Sequence, residues 1–214
     1  MTDINDVLND ETWVERSLSA EDLTPEFSFL LGRTVYVGDP NSSEQFHCET
    51  YNLPIVLPEL AARDPLRPSA REALGREADL AAYYFEIMEK TGRTPGVDGV
   101  GFWLSLEFVS DALGERVEFP WWDRISETSN LLDWIRVTDA EDVGFFDCDQ
   151  GWLFKAERRG GWLHFQHGDL DTGEMYANLK VDQVAFRGRL DQAESDVRTV
   201  VGRLKDRLQV DPWS

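Results

Sequence analysis

Between Val143 and Leu208 the chain reads VGFFDCDQGWLFKAERRGGWLHFQHGDLDTGEMYANLKVDQVAFRGRLDQAESDVRTVVGRLKDRL. Short apolar-rich runs alternate with turn residues, and a single helical pattern closes the sequence. Val143–Asp147 reads as a first strand, Trp152–Arg158 as a second and Trp162–His167 as a third. Glu174–Lys180 and Val181–Arg187 read as a fourth and a fifth. Cys148-Asp149-Gln150-Gly151, Arg159-Gly160-Gly161 and the longer stretch Gly168–Gly173 supply the turns, with Gly available wherever φ must be positive. Strands this closely spaced favour antiparallel hairpins over parallel crossovers.

Alternation then sorts the side chains. Trp152, Phe154 and Ala156 share one face of the second strand, against Lys155 and Glu157. Leu163 and Phe165 share a face of the third, against Trp162, His164 and Gln166. On the fourth, Met175, Ala177 and Leu179 oppose Tyr176, Asn178 and Lys180. In the closing segment Leu190, Ala193, Val197, Val200, Val201, Leu204 and Leu208 recur at helical spacing. Asp191 with Glu194 has the pattern of a capping box, and Gly188 separates strand from helix. The amphipathic helix and the apolar sheet face each need a cover, so the helix is expected to lie on the meander.

The first half is less regular. Ile4, Val7, Leu8 and Glu11–Val14 have the makings of a short amphipathic helix. Phe27–Leu31 is apolar, Arg33–Gly38 and Phe46–Tyr51 read as strands, and the flanking Pro54 and Pro58 make Leu53–Leu57 an extended edge segment. Ser69 with Glu72 is a second capping-box pattern, opening a long helix over Ala70–Lys90. Its apolar stripe is Ala73, Leu74, Leu80, Ala81, Tyr84, Phe85 and Met88, and Thr91-Gly92 ends it. Phe102–Ser110 alternates like a strand, with a helix as the competing reading; Arg116–Phe119 suits a partner strand. Leu131, Leu132, Trp134 and Ile135 suggest a short helix before the meander. The pattern therefore predicts an α+β fold: an antiparallel β-meander with a packed C-terminal helix, and a second long helix in the N-terminal half. It reads as a single domain over 1–214, with 93–100 as the place where a subdivision would fall.

Composition adds three bounds. The 214 residues are 42% hydrophobic and include eight Trp and 12 Phe, enough for a core in which aromatic packing matters. No apolar run reaches membrane-spanning length, and the acidic start MTDINDVLNDETWVERS lacks the basic and apolar regions of a signal peptide. A cytoplasmic protein is expected, with Cys48 and Cys148 as free thiols. The net charge of −20 argues against nucleic acid and against anionic membranes, both of which select basic surfaces. It fits either simple solubility or a basic protein partner whose field complements it.

Catalytic and metal signatures are missing from the sequence. His47-Cys48, Asp147-Cys148-Asp149 and the pair His164/His167 are the clusters of ligand types, and none has zinc-site spacing; on a strand His164 and His167 point to opposite faces. There is no GxSxG elbow, no GxxxxGK[ST] and no GxGxxG. Cys148 sits between two carboxylates that disfavour its thiolate. Acids are so numerous that Glu107 and Glu118 are not distinguished as a catalytic dyad. No catalytic residue, metal or cofactor is expected.

What remains is surface chemistry. Trp162, His164 and Tyr176 are expected on the face away from the helix, rimmed by Asp147, Asp149, Asp169 and Asp171, with Trp121, Trp122 and Asp123 as a second aromatic–acid group. Aromatics ringed by charge have the make-up of an interface hot spot. The competing reading has an N-terminal layer covering that face and making the aromatics core. In charge, in the acidic turns DCD and GDLD, and in the segment WWD, the chain resembles the acidic bacterial immunity and inhibitor proteins of toxin systems. That resemblance implies a non-enzymatic protein-binding module. It would neutralise a basic toxin, such as a nuclease, by occluding its active site. The alternatives are a small-molecule hydrolase or transferase using Asp/Glu acid–base residues, and a structural or regulatory subunit of a larger assembly.

Overall fold

At Gly160-Gly161 the chain turns on two residues, both with positive φ (59° and 83°), the combination a type I′ hairpin needs to match strand twist. From that turn the computed structural model builds its larger sheet. The structure describes residues 11–37, 52–96, 101–122, 124–137, 144–148 and 151–213. Their elements are β1 (Leu18–Ser19), β2 (Thr24–Leu30), β3 (Thr34–Tyr36), β4 (Asn52–Pro54), α1 (Ala70–Ala73), α2 (Glu77–Thr91), β5 (Trp103–Ser110), β6 (Glu115–Trp122), α3 (Ser129–Arg136), β7 (Phe145–Asp147), β8 (Trp152–Arg159), β9 (Trp162–Asp169), β10 (Glu174–Asp182) and α4 (Gln183–Leu208). Short 3-10 segments occupy Glu11–Arg16 and Ile125–Thr128. The fold is α+β. One sheet has the order β1-β10-β9-β8-β7, antiparallel except for β1; a second is β2-β5-β6, and β3-β4 is a ribbon. The predicted strand Phe46–Tyr51 and residues Ile4, Val7 and Leu8 lie outside the described residues.

The described residues fall into two compact units, each made of separate pieces of chain. The first draws on Met1–Glu26, Ser105–Trp122 and Ser126–Glu194. It is the meander with its covers. Counting out from the Gly160-Gly161 turn, Arg158 pairs with Leu163, Ala156 with Phe165, Phe154 with His167 and Trp152 with Asp169; Phe165 pairs onward with Leu179 and Leu163 with Val181. The apolar members of this face meet Phe108 of β5, Phe119 of β6 and Phe186 of α4. Phe108 lies 4.6 Å from Phe165 and 5.1 Å from Phe186, and Phe119 5.3 Å from Phe154. Each fully buried Phe contributes about 1.5–3 kcal/mol of transfer free energy, so this aromatic stack is a main source of stability in the unit.

The opposite face is covered too. Trp13, Val14 and Ser17 lie over it, with Trp13 edge-on to His164. Asn178 donates from Nδ2 to the Trp13 carbonyl and accepts from the Ser17 hydroxyl.

Two expectations for this unit change. Val181–Arg187 is not a fifth strand: β10 ends at Asp182 and the helix begins at Gln183. Asp182 Oδ1 accepts the N–H of Ala185, an N-cap bond, and this early start brings Phe186 onto the sheet core. Gly188 therefore lies inside the helix. Asp191 and Glu194 are mid-helix acids paired with Arg136 of α3, not a cap. The β9–β10 turn is also shorter than expected, because Gly168 and Asp169 belong to β9.

The second unit draws on Phe27–Leu104, Asp123–Ile125 and Ser195–Ser214. Ser69 and Glu72 form the predicted capping box, side chain to backbone in both directions. The long helix over Ala70–Lys90 is nonetheless broken. Gly75 takes φ +82°, and α2 restarts at Glu77, whose carboxylate accepts the Gly75 N–H. The break rotates the apolar stripe. Tyr83 and Ile87 are buried beside Leu80, Ala81, Tyr84 and Met88, while Leu74 and Phe85 are exposed. Gly92, in the left-handed conformation, ends α2 as expected. Trp213 is fully buried against Phe102, with its indole N–H on the Phe102 carbonyl. Arg203 of α4 pairs with the buried Glu77.

Candidate functional site: the acidic and aromatic end of the meander

The strand register sets Trp152, His167 and Tyr176 in one line at the far end of β8–β10 from the Gly160-Gly161 turn. Trp152 stacks on His167 with ring centroids 5.6 Å apart and planes 11° from parallel. Tyr176 meets the other side of the imidazole edge-on at 5.1 Å. A β-bulge between Met175 and Ala177 makes this possible. The bulge adds one residue opposite His167, which turns the Tyr176 ring toward that histidine. His167 is 5% exposed, and neither ring nitrogen is in hydrogen-bonding geometry with a partner among the described residues. Burial pushes its pKa down, against weaker opposing effects of the Glu118 carboxylate and the Arg116 backbone. The ring lies between Trp152 and Tyr176 and backs the tyrosine.

Tyr176 is 45% exposed, and its hydroxyl lies 3.4 Å from Asp169 Oδ2. Asp169 also accepts the N–H of Thr172, which holds its carboxyl below the usual range. Partial desolvation, then the charges of Asp169 and Glu174, push the Tyr176 hydroxyl up. Asp171 lies in the β9–β10 turn, whose Leu170 N–H donates to the Gly151 carbonyl before β8 at 2.7 Å. Asp147 pairs with Phe154 at the same end. Beside Tyr176, along the outer edge of β10, runs an open groove of about 320 Å³ lined by Arg16, Leu18, Glu115, Met175, Tyr176 and Asn178, among others.

The predicted residues therefore separate. Asp169 and Tyr176 come together, Asp171 lies in the turn between their strands, and Asp147 sits at the same end on the far edge strand β7. Trp162 and His164 lie on the opposite face, Trp162 half-buried beside the Gly160-Gly161 turn with Lys180 Nζ 5.7 Å from its ring centre. His164 is buried under Trp13 and Ser17, where burial and the charges of Lys180 and Arg159 bring its pKa down to about 4. The bulge is the reason that Tyr176 parts from them. Trp121 and Trp122 close β6, but their side chains, like Asp123 and Asp149, lie outside what the structure describes. Trp152, His167, Glu174 and Glu115 are members of the site that alternation alone did not single out. The two-residue turn was the available signal, since counting outward from it pairs Trp152 with Asp169.

A second polar group lies between β5 and β6. Glu107, 1% exposed, and Glu118 are cross-strand partners, and Arg116 Nη1 is 2.7 Å from Glu107 Oε2. Among the described residues no three His, Cys, Asp or Glu side chains are grouped to hold a metal ion, and no helix is long and apolar enough to cross a membrane. Cys148 is an exposed free thiol. Comparison with known protein families, with curated proteins and with solved structures finds no match to this chain.

Proposed function

We propose that this chain is a binding module for a basic protein, acting as an immunity or inhibitor protein that occludes the active site of a basic toxin in the cytoplasm. The observation that carries this reading is a supported, half-exposed aromatic set among carboxylates. Tyr176 stands on the buried His167, which Trp152 backs in turn, with Asp169, Glu174 and Glu115 near it, on a chain of net charge −20. A rigid aromatic anchor with a charged rim is how interface hot spots are built, and complementary fields speed the encounter. On this reading the carboxylates pair with the Lys and Arg side chains of the partner, standing in for the phosphates of a nuclease's substrate. Against an acid–base enzyme, Glu107 is already engaged by Arg116.

The test is a pull-down with tagged protein from the native host, washed at low and at high salt, beside an Asp169→Asn/Glu174→Gln double variant. A single basic partner, lost at high salt and weakened in the double variant, is the expected result. A partner held equally at both salt concentrations and by both proteins would remove this reading.

A further inference from the structure

We propose that the groove beside Tyr176 receives an arginine side chain of the basic partner, its guanidinium lying on the Tyr176 ring with the Asp169, Glu174 and Glu115 carboxylates around it. This rests on the basic-partner reading and adds the residue type that the partner must present.

Three observations lead there. The first is the platform. Exposed tyrosines usually rotate freely, but Tyr176 is set by the bulge, backed by the imidazole of His167 and tied at its hydroxyl to Asp169. A ring already held in its bound orientation loses little entropy when a planar group stacks on it. The second is the shape and lining. The groove is open, about 320 Å³, and has Leu18, Met175, Ala177 and Leu179 along it, which suits the methylene stem of a long basic side chain. The third is charge. Glu115 lines the groove, and Asp169 and Glu174 act directly on the Tyr176 hydroxyl. Arg16 is the cation among the lining residues and is not free, since it has an interaction partner.

Aromatic face plus carboxylates distinguishes the two basic side chains. A guanidinium is planar and weakly hydrated, stacks on rings and forks onto carboxylates. An ammonium is a compact, strongly hydrated point charge. A second copy of this chain is a poor occupant, because two surfaces of net charge −20 repel.

The experiment titrates hexa-arginine and hexa-lysine, equal in charge, into the full chain and into Tyr176→Phe and Tyr176→Leu variants by calorimetry. Hexa-arginine should bind the unaltered chain and the Phe variant more tightly than hexa-lysine. The Leu variant should lose about two- to fivefold of that preference, the worth of one exposed cation–π contact. In the unaltered chain hexa-arginine should also shift the Tyr176 ring proton resonances more than hexa-lysine does, a readout that does not depend on the Leu variant folding. Salt-sensitive binding of both peptides with no Tyr176 dependence and no ring shift would overturn the arginine slot and leave the basic-partner reading standing. No salt-sensitive binding of either peptide would overturn both.

Discussion

At the scale of single residues, the two buried histidines of the meander illustrate why a pattern of alternation under-reports a site. The sequence correctly sends His164 and His167 to opposite faces, yet says nothing of what covers each. One rests under Trp13 and Ser17, the other between Trp152 and Tyr176. Both pKa values are depressed, His164 to about 4, with burial as the first cause in each. The sign follows from proton binding. As pH falls below 6.5 the unfolded chain takes up a proton that the folded imidazole refuses, so stability is complete above 6.5 and declines until about pH 4, where both states are protonated. His164 alone should remove about 3 kcal/mol across that window. Denaturant melts at successive pH values should slope between pH 6.5 and 5, above the range where ordinary carboxylates titrate, and a His164→Gln variant should flatten the slope. A flat profile in the unaltered chain would mean that the imidazole takes its proton without strain.

Elements were legible where turn chemistry agreed with periodicity. The Ser69–Glu72 capping box and the Gly92 helix end read correctly, and the Arg159-Gly160-Gly161 turn did so to within one residue, Arg159 belonging to β8, because each combines a residue of special backbone freedom or capping ability with a change of period. The failures came where local signals conflicted. Gly75 stands within a run of helical spacing and reads as a tolerated interior glycine, but it takes φ +82° and breaks the helix. Asp182 lacks a Glu or Gln three residues on, so the stronger-looking Asp191–Glu194 pair set the cap nine residues too late. The Phe186–Leu190 spacing, i to i+4, was the clue that α4 begins earlier. Asp182→Ala should remove the bond to the Ala185 N–H and cost about 1 kcal/mol, read as a lowered denaturation midpoint. The same replacement at Asp191, inside the helix, should cost less, because it only loosens an exposed pairing with Arg136. Equal losses at the two positions would mean that Asp182 is not the cap.

At the scale of the whole chain, composition announced acidity but could not say which acids matter. With 41 Asp and Glu, carboxylates occur everywhere, and only the register and the bulge select Asp169 and Glu174 by setting them beside Tyr176. The excess of negative charge has two consequences that oppose each other as salt is added. Within the folded chain, like charges repel more strongly than in the expanded unfolded chain, so screening should stabilise the fold. Toward a basic partner, the same screening weakens attraction and slows association. Raising sodium chloride from about 10 mM, where the Debye length is about 30 Å, to about 1 M, where it is about 3 Å, should therefore raise the melting temperature of the free chain while lowering the rate of partner association. Because the two effects have opposite signs, loss of binding at high salt cannot be ascribed to unfolding. A melting temperature that falls with salt would instead mean that favourable pairs such as Glu107–Arg116 and Glu77–Arg203 outweigh the repulsion, and that the acidic surface is already balanced within the fold.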